Sequence, residues 1–209
     1  MKKRCAAALA LALVGILSGC GQAKTQAADN TIGLTPVEQT SNTQSASAAV
    51  EYEFSGNHAD ANGIEIQRYE WDGSAWSKDE YGLYTLNSKT VGKSSGTIRF
   101  EPESDAVNAE YNIDIQSDDF GGSMQFADSS KLSGLPTEQL TSSVAMQEEK
   151  IEDLAVDAEI PLLVRTFRTD NTQILVAIDA FSDPDNSSAV KNSSCAEAYT
   201  VKFVKNDNL

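Results

Sequence analysis

The sequence predicts an all-β fold: one antiparallel β-sandwich, of the jelly-roll or immunoglobulin-like kind, carried on a disordered N-terminal tether. From residue 50 onward, short stretches alternate apolar and polar residues, which is the pattern of half-buried strands. These stretches recur at intervals of about ten residues and are separated by turn-forming pairs, as in antiparallel sandwiches and barrels. The span 50–209 has the length of a single domain.

The first twenty residues have the order of a secretory signal. Three basic residues, Lys2 to Arg4, precede a charge-free run over 5–17, and small residues then lead to Cys20. A membrane-spanning helix needs about 20 apolar residues, and this run is shorter. We therefore expect residues 1–19 to be a signal peptide.

The end of this signal carries a more specific pattern, Leu17-Ser18-Gly19-Cys20. It resembles the lipobox of bacterial lipoproteins. The resemblance implies cleavage before Cys20 and attachment of fatty chains, palmitate among them, to its sulfur. Because each buried methylene is worth about 0.8 kcal/mol, two or more chains hold a protein firmly on a membrane. We expect an extracytoplasmic protein whose first partner is the cell membrane.

The segment after Cys20 predicts a linker. Residues 21–49 are rich in Gln, Ala, Thr and Ser, contain no aromatic residue and show no apolar period. Such a segment buries too little surface to offset the entropy of ordering. We therefore predict a lipidated cysteine and flexible linker over 20–49, followed by the β-sandwich domain over 50–209.

The strands of the domain follow from alternation, taken in chain order. The predicted strands are VEYEF (50–54), GIEIQRYEW (63–71), GLYTLN (82–87), GTIRFE (96–101), EYNIDIQ (110–116), GSMQFA (122–127), PLLVRTFR (161–168), QILVAIDAF (173–181) and AYTVKFV (198–204). The pair Asp72-Gly73, between Trp71 and Trp76, predicts a hairpin turn. Residues 135–156 break the alternation and predict either a short helix or a long crossover loop.

The charge of the chain limits its partners. It has 16 Lys and Arg against 31 Asp and Glu, for a net charge of −15. Nucleic acid is therefore not an expected partner, because polyanion binding requires Lys and Arg to displace counterions. The excess of acids favours basic partners and solubility. With Cys5 in the signal and Cys20 in the lipobox, Cys195 has no disulfide partner within the domain, and we expect an inert thiol.

Three aromatic residues, Tyr69, Trp71 and Trp76, are the candidate ligand-stacking residues. Aromatic side chains on an exposed β-face can stack on sugar rings, and a surface protein meets glycans. Alternation places Tyr69 and Trp71 on the face opposite Ile64 and Ile66. The alternative is structural, since aromatic residues also pair across strands.

The loop DPDNSS offers Asp183 and Asp185 as candidate oxygen ligands for a calcium ion. The alternative is a solvated Asp-Pro turn. For transition metals the chain offers a lone histidine, His58, and no Cys-x-x-Cys motif, so neither a metal centre nor a cofactor is expected.

Catalytic motifs are incomplete in this sequence. Ser188 and Lys191 have the S-x-x-K spacing of penicillin-recognising serine enzymes, but no companion K-T-G motif accompanies them, since Lys89-Thr90 is followed by Val91. We therefore predict a non-catalytic contact module, binding a glycan, a peptide or another envelope protein. The alternative is an envelope-associated hydrolase that uses two paired carboxylates in one cleft.

A broader likeness supports the surface location. The tether, the WDGSAW tip and the closing strands EIPLLV and AYTVKFV look like those of small surface lipoproteins of gut Firmicutes. The likeness implies a surface protein and brings no activity with it.

Overall fold

Two antiparallel β-sheets packed face to face form the protein, so the predicted all-β sandwich is confirmed. The computed structural model describes residues 31–37, 49–56, 61–79, 84–85 (backbone alone), 95–104, 106–117, 121–126 and 131–205. The predicted signal peptide, Cys20 and His58 lie outside these residues.

Twelve strands are described, labelled here in chain order. They are β1 (Ile32–Pro36), β2 (Val50–Gly56), β3 (Gly63–Trp71), β4 (Trp76–Lys78), β5 (Tyr84–Thr85), β6 (Ser95–Pro102), β7 (Tyr111–Ser117), β8 (Gly121–Gln125), β9 (Thr141–Met146), β10 (Ile151–Leu154), β11 (Glu159–Arg168) and β12 (Cys195–Val204). The described helical structure is short: three 3₁₀ turns (Thr137–Gln139, Ile178–Phe181 and Pro184–Asn186) and the one-turn helix α1 (Ser188–Lys191).

The first sheet has the order β10-β1-β2-β6-β7-β8, and the second has the order β4-β3-β12-β11-β9, with β5 also paired to β3. Every described pairing is antiparallel. The last strand, β12, lies in the middle of the second sheet, between β3 and β11. The two sheets therefore depend on contacts between distant parts of the chain.

The space between the sheets is filled by the inward-facing side chains of both. Alternation predicts which side chains these are: Tyr111, Ile113 and Ile115 from β7, and Tyr199, Val201 and Phe203 from β12, all of which are buried. Their partners from other strands are Ile32, Leu34, Tyr52, Phe54, Ile64, Ile66, Ile98, Phe100, Leu162 and Leu163. Aromatic rings meet edge to face here, as between Phe100 and Tyr199.

The predicted linker is wrong at residues 32–36. These residues form β1, which pairs with β2 on one side and with β10 on the other. Ile32 and Leu34 are buried in the core. The ordered domain therefore begins before residue 50, because two alternating apolar side chains are enough to place a short strand between existing ones.

The chain between β11 and β12 corrects a second prediction. QILVAIDAF (173–181) is not a strand; it runs irregularly and ends in the 3₁₀ turn Ile178–Phe181. Its side chains Val176 and Ala180, together with Val190 of α1, are buried against the outer face of the second sheet. The apolar run thus covers a sheet rather than joining one.

The segment 135–156 contains two strands, β9 and β10, where a helix or a crossover loop was expected. β9 pairs with β11 in the second sheet, and β10 pairs with β1 in the first. The segment therefore crosses from one sheet to the other at one side of the sandwich. A single 3₁₀ turn, Thr137–Gln139, stands where the helix was expected.

The predicted hairpin at Asp72-Gly73 is confirmed. Gly73 has a φ of +104°, a backbone conformation that favours glycine. The Asp72 carboxylate accepts hydrogen bonds from the backbone N–H groups of Ser74 (2.7 Å) and Ala75 (2.8 Å), which fixes the turn. Trp71 and Trp76 consequently face each other across β3 and β4.

Candidate functional site

The structure brings the three predicted stacking residues together, but as part of a packed cluster. The rings of Trp71 and Trp76 lie 5.4 Å apart, centroid to centroid. Phe181 contacts Tyr69 at 5.1 Å and Trp76 at 5.6 Å. Trp71 is 5% exposed. These aromatic residues therefore pack against the segment that covers the second sheet, as the structural alternative predicts. Trp71 offers no open face on which a sugar ring could stack.

Tyr69 is fixed by a hydrogen bond as well as by packing. Its hydroxyl donates to Glu159 Oε1 at 2.7 Å, and the hydroxyl of Thr200 donates to the same oxygen at 2.8 Å. Burial and this carboxylate raise the pKa of Tyr69 above its ordinary value. The outer face of the second sheet is thus closed by packing around Tyr69, while the indole nitrogens of Trp71 and Trp76 are buried without a hydrogen-bond partner among the described residues.

A second group of polar side chains lies inside the sandwich, at one end of the core. Arg165 is completely buried. It donates to Glu197 Oε2 at 2.6 Å and to the carbonyl oxygen of Ala109 at 2.6 Å. Its other terminal nitrogen reaches Glu110 Oε2 at 3.3 Å and the Tyr199 hydroxyl at 3.2 Å. Each of the three nitrogen atoms of Arg165 therefore donates to an acceptor within the protein.

Arg68 repeats this arrangement from β3. Its Nε donates to Asp79 Oδ2 at 3.0 Å, and a terminal nitrogen lies 3.4 Å from Glu110 Oε2. Glu110 therefore bridges both arginines. The Arg68 guanidinium also lies over the ring of Phe126, 5.4 Å from its centroid.

This buried ionic network does not have the geometry of a hydrolytic carboxylate pair. Two carboxylates of the network, Glu110 and Glu197, both bind Arg165, and their side chains are 7% and 0% exposed. A pair that activates water needs access to a substrate. Burial alone would lower the pKa of Arg165, but the charge of Glu197 and the smaller contributions of its other neighbours together outweigh burial, so the arginine stays charged.

The sequence contained a signal for this network that strand alternation reveals. Arg68 is in phase with Ile64 and Ile66, and Glu197 is in phase with Tyr199 and its inward-facing neighbours. Charged residues at core positions of a strand are rare unless they are paired. Their partners could not be identified without the sheet order.

The candidate calcium ligands are used by the fold in another way. Both carboxylate oxygens of Asp183 accept from the amide nitrogen of Asn186, at 3.0 and 2.8 Å. The backbone carbonyl of Asp185 accepts from Lys191 Nζ at 2.9 Å. In the part of the chain that the structure describes, no three metal-binding side chains come together. The loop is the Asp-Pro turn of the structural alternative.

The S-x-x-K spacing places Ser188 and Lys191 on the single turn α1, which Ser187 caps through its side chain. The ammonium group of Lys191 donates a hydrogen bond to the carbonyl oxygen of Asp185.

Cys195, the first residue of β12, is buried. Burial, and to a smaller extent the charge of Glu197, raises the pKa of its thiol to about 12. At neutral pH this thiol is therefore protonated and a poor nucleophile.

The outer face of the first sheet carries an open groove of about 570 Å³. Its floor crosses four neighbouring strands, β1, β2, β6 and β7. The described residues that line it are Thr35, Glu53, Phe54, Ser55, Ser95, Gly96, Thr97, Gln116 and Ser117. Hydroxyl, amide and carboxylate groups dominate this surface, which we call the polar groove.

Strand register explains how these side chains meet. Thr35 lies opposite Glu53, Glu53 lies opposite Thr97, and Thr97 lies opposite Gln116, so the four form a row across the sheet. The volume is within the range of about 300–1,000 Å³ typical of small-molecule sites. The sequence offered no local signal for the groove, because its residues come from four separate strands.

Close approach of two strands shapes one wall of the groove. A Cβ atom at Gly96 would overlap the backbone carbonyl of Gln116 and lie 2.8 Å from the Phe54 ring. Glycine is therefore required at this position for β6 to lie as close as it does to β7.

Comparison of the chain with protein-family models, with curated proteins and with solved structures gives no match. Among the described residues, no helix has the length and apolar character needed to cross a membrane.

Proposed function

We propose that the protein is a lipid-anchored, extracytoplasmic binding module without catalytic activity, and that it binds its ligand in the polar groove. The observation that carries this proposal is the difference between the two outer faces of the sandwich. The face of the second sheet is covered by residues 172–194, whereas the first sheet presents a groove lined by hydrogen-bonding side chains. A surface of this kind suits reversible contact with a polar ligand.

The proposed location depends on the sequence before residue 31. The basic start, the charge-free run and Leu17-Ser18-Gly19-Cys20 together support export, cleavage before Cys20 and lipidation of its sulfur. Between Cys20 and the first residue of β1 there are eleven residues. Such an anchor would hold the sandwich close to the membrane, with a much shorter spacer than a linker to residue 49 would give.

The non-catalytic part of the proposal is supported by where carboxylates lie. The groove contains one carboxylate among its described lining residues, Glu53, whereas hydrolysis by paired carboxylates needs two. Glu110 and Glu197, which share Arg165, are buried and bound to it. Neither the described lining of the groove nor this buried network therefore offers the accessible pair that the hydrolase alternative requires.

Binding is tested by probing glycan and peptide arrays with the natural protein, purified in mild detergent from the cells that make it. We expect a specific signal that is lost in Ser55→Trp, because a bulky side chain there fills the groove. The matched control is Glu101→Trp, on the same face but outside the groove, which should leave the signal unchanged. Binding to neither array would contradict the proposal.

The anchor is tested separately by Cys20→Ala. Without the sulfur no chain can be attached, so we expect the protein to accumulate unprocessed or to leave the membrane fraction. Intact-mass measurement of the natural protein should show a leaderless chain carrying fatty acids. Unchanged membrane association of Cys20→Ala, or a bare cysteine, would refute lipid anchoring.

A further inference from the structure

We infer that the polar groove binds a glycan that carries free amino groups, with the carboxylate of Glu53 receiving one ammonium group and the surrounding hydroxyls contacting the sugar hydroxyls. This inference rests on the proposed function and names the ligand class of the same site. Four properties of the groove lead to it.

The first property is the unpaired charge of Glu53. It is the single charged side chain of the described lining, and it has no hydrogen bond or ion pair to any residue that the structure describes. The neighbouring charges on the same face are different: Arg99 lies 3.3 Å from Glu101 and 3.9 Å from Glu51. The charge of Glu53 is therefore available to a ligand.

The second property is the chemistry around that charge. A carboxylate accepts hydrogen bonds and cannot donate them, so its ligand partner has to be a donor, and a cationic donor gives the stronger bond. The hydroxyls of Thr35 and Thr97, on either side of Glu53, both donate and accept, as does the amide of Gln116. Sugar hydroxyls have the same dual character, so they match this lining.

The third property is the position of the groove within the sheet. Its four strands, β1, β2, β6 and β7, each have a neighbour on both sides, so their backbone groups are used in the ladder. A peptide could not add here as a strand, because no backbone edge is free for it to pair with. A glycan has no backbone amide ladder to satisfy, which favours it over a basic peptide.

The fourth property is size. The floor crosses three inter-strand spacings, about 14 Å in total. This length accommodates several linked sugar rings lying across the strands, with Glu53 on the second strand. The net charge of −15 on the whole chain would also attract a cationic ligand before contact.

The test uses isothermal titration of the natural protein, in mild detergent, with three probes: the tetramer of β-1,4-linked glucosamine, its fully N-acetylated counterpart, and tetralysine. Acetylation removes the positive charge while keeping the sugar rings. We expect the glucosamine tetramer to bind at least tenfold more tightly than the acetylated one, because a charge-assisted hydrogen bond is lost. Added salt should reduce this preference.

Two variants locate the interaction. Glu53→Gln keeps the shape of an exposed side chain and removes its charge, so it should weaken binding of the glucosamine tetramer about tenfold or more. Thr97→Val removes a hydroxyl and keeps a β-branched side chain, so it should weaken both tetramers. Glu101→Gln, an exposed glutamate on the same face outside the groove, is the control and should change neither affinity.

Each other outcome overturns the inference. Equal binding of both tetramers, unaffected by Glu53→Gln, would retain a glycan-binding module but refute the amino-group assignment. Tight binding of tetralysine with no binding of either sugar would assign the groove to a basic peptide. If none of the probes binds while an array ligand does, the ligand class is wrong and the binding module stands; if no array ligand is found either, both fail.

Discussion

At the residue scale, the most consequential feature is the pair of arginines inside the core. A buried charge is tolerated when it is paired and fully hydrogen-bonded, and the cost of removing one partner exceeds the value of the pair itself. Arg165 is paired through Glu197, Glu110 and the carbonyl oxygen of Ala109, and it also lies against the rings of Tyr111 and Phe167. On the acidic side, Glu197 Oε1 is buried without a hydrogen-bond partner among the described residues. The network therefore fixes how the two sheets and residues 109–110 meet.

Removing one member of the network should destabilise the fold strongly. We expect Arg165→Met to lower the free energy of unfolding by about 3–5 kcal/mol, because Glu197 is left buried without its cation. Urea denaturation followed by tryptophan fluorescence measures this. The control is Arg99→Met, an exposed arginine with two ion pairs, which should cost less than about 1 kcal/mol.

A second variant separates ion pairing from packing. Arg165→Met combined with Glu197→Leu removes the unpaired charge, so the double variant should be more stable than Arg165→Met alone. If the double variant is as unstable as the sum of its single changes, then lost packing, and not an isolated charge, accounts for the effect of Arg165→Met.

Buried titratable groups predict a loss of stability at alkaline pH. Burial raises the thiol pKa of Cys195 to about 12, whereas an unfolded thiol titrates near 8.5. Because the pKa is raised in the folded state, the thiol makes its full contribution to the free energy of unfolding below about pH 8.5. This contribution is lost as the pH rises further, by about 1 kcal/mol between pH 8.5 and 9.5. Burial also raises the pKa of Tyr52, Tyr111 and Tyr199, so further losses follow above pH 10.

The measurement is the urea midpoint at pH 7, 8.5, 9.5 and 10.5. We expect it to fall steadily above pH 8.5 in the natural chain, while Cys195→Ala should show a smaller decrease between pH 8.5 and 9.5. A thiol reagent at pH 8 should label Cys195 only when the protein unfolds. Rapid labelling of the folded protein would contradict a buried, protonated thiol.

At the element scale, β1 is a short strand that the sequence pattern did not predict. Its five residues, Ile32–Pro36, contain two inward-facing apolar side chains, and the polar composition of residues 21–49 masks them. The strand lies between β2 and β10, so its loss would leave β10 without a neighbour and β2 with an unpaired edge. Pairing partners from residues 50–56 and 151–154, not local propensity, make this segment a strand.

We therefore expect Leu34→Ala to destabilise the domain by about 2–5 kcal/mol, the cost of truncating a buried leucine in a packed core. Urea denaturation of the natural chain and the variant measures this difference. Val37→Ala, just beyond the strand at a position that is 36% exposed, is the control and should cost less than about 1 kcal/mol. Equal, small effects of both changes would mean that β1 does not belong to the stable fold.

Which elements the sequence predicts depends on whether one face of each is buried. β7 buries alternate residues, and β12, although buried on both faces, carries its large apolar side chains at alternate positions, so alternation predicted both strands and their inward-facing side chains. QILVAIDAF fails this rule because it covers a sheet with side chains such as Val176 while leaving Leu175 69% exposed. β9 and β10 were not predicted because edge strands bury few side chains. In β9, Ser142 and Ser143 also weaken the alternation of apolar and polar residues.

At the scale of the whole molecule, the candidate site is a product of sheet order. Tyr69, Trp71 and Trp76 are close in sequence, so the sequence alone groups them. The structure confirms their proximity, but it buries Trp71 and leaves Tyr69 and Trp76 half-buried against Phe181. Thr35 and Gln116 are 81 positions apart and share a groove because β1, β2, β6 and β7 are neighbours. Sites of this kind cannot be found before the strand order is known.

The same topology makes the fold dependent on its final strand. β12 lies between β3 and β11 and carries Glu197 and Tyr199 into the ionic network. It cannot pair before residues 195–204 have been synthesised. Long-range pairing of this kind delays folding until distant segments are available.

A chain ending at residue 194 should therefore fail to fold, whereas a chain ending at residue 205 should unfold cooperatively with nearly natural stability. Without β12, the inward faces of β3 and β11 lose their common neighbour, and Arg68 and Arg165 lose Tyr199 and Glu197. Far-ultraviolet circular dichroism and limited proteolysis measure the difference. Protease resistance in the shorter chain would mean that the first sheet is stable without the second, and that the two halves of the sandwich fold independently.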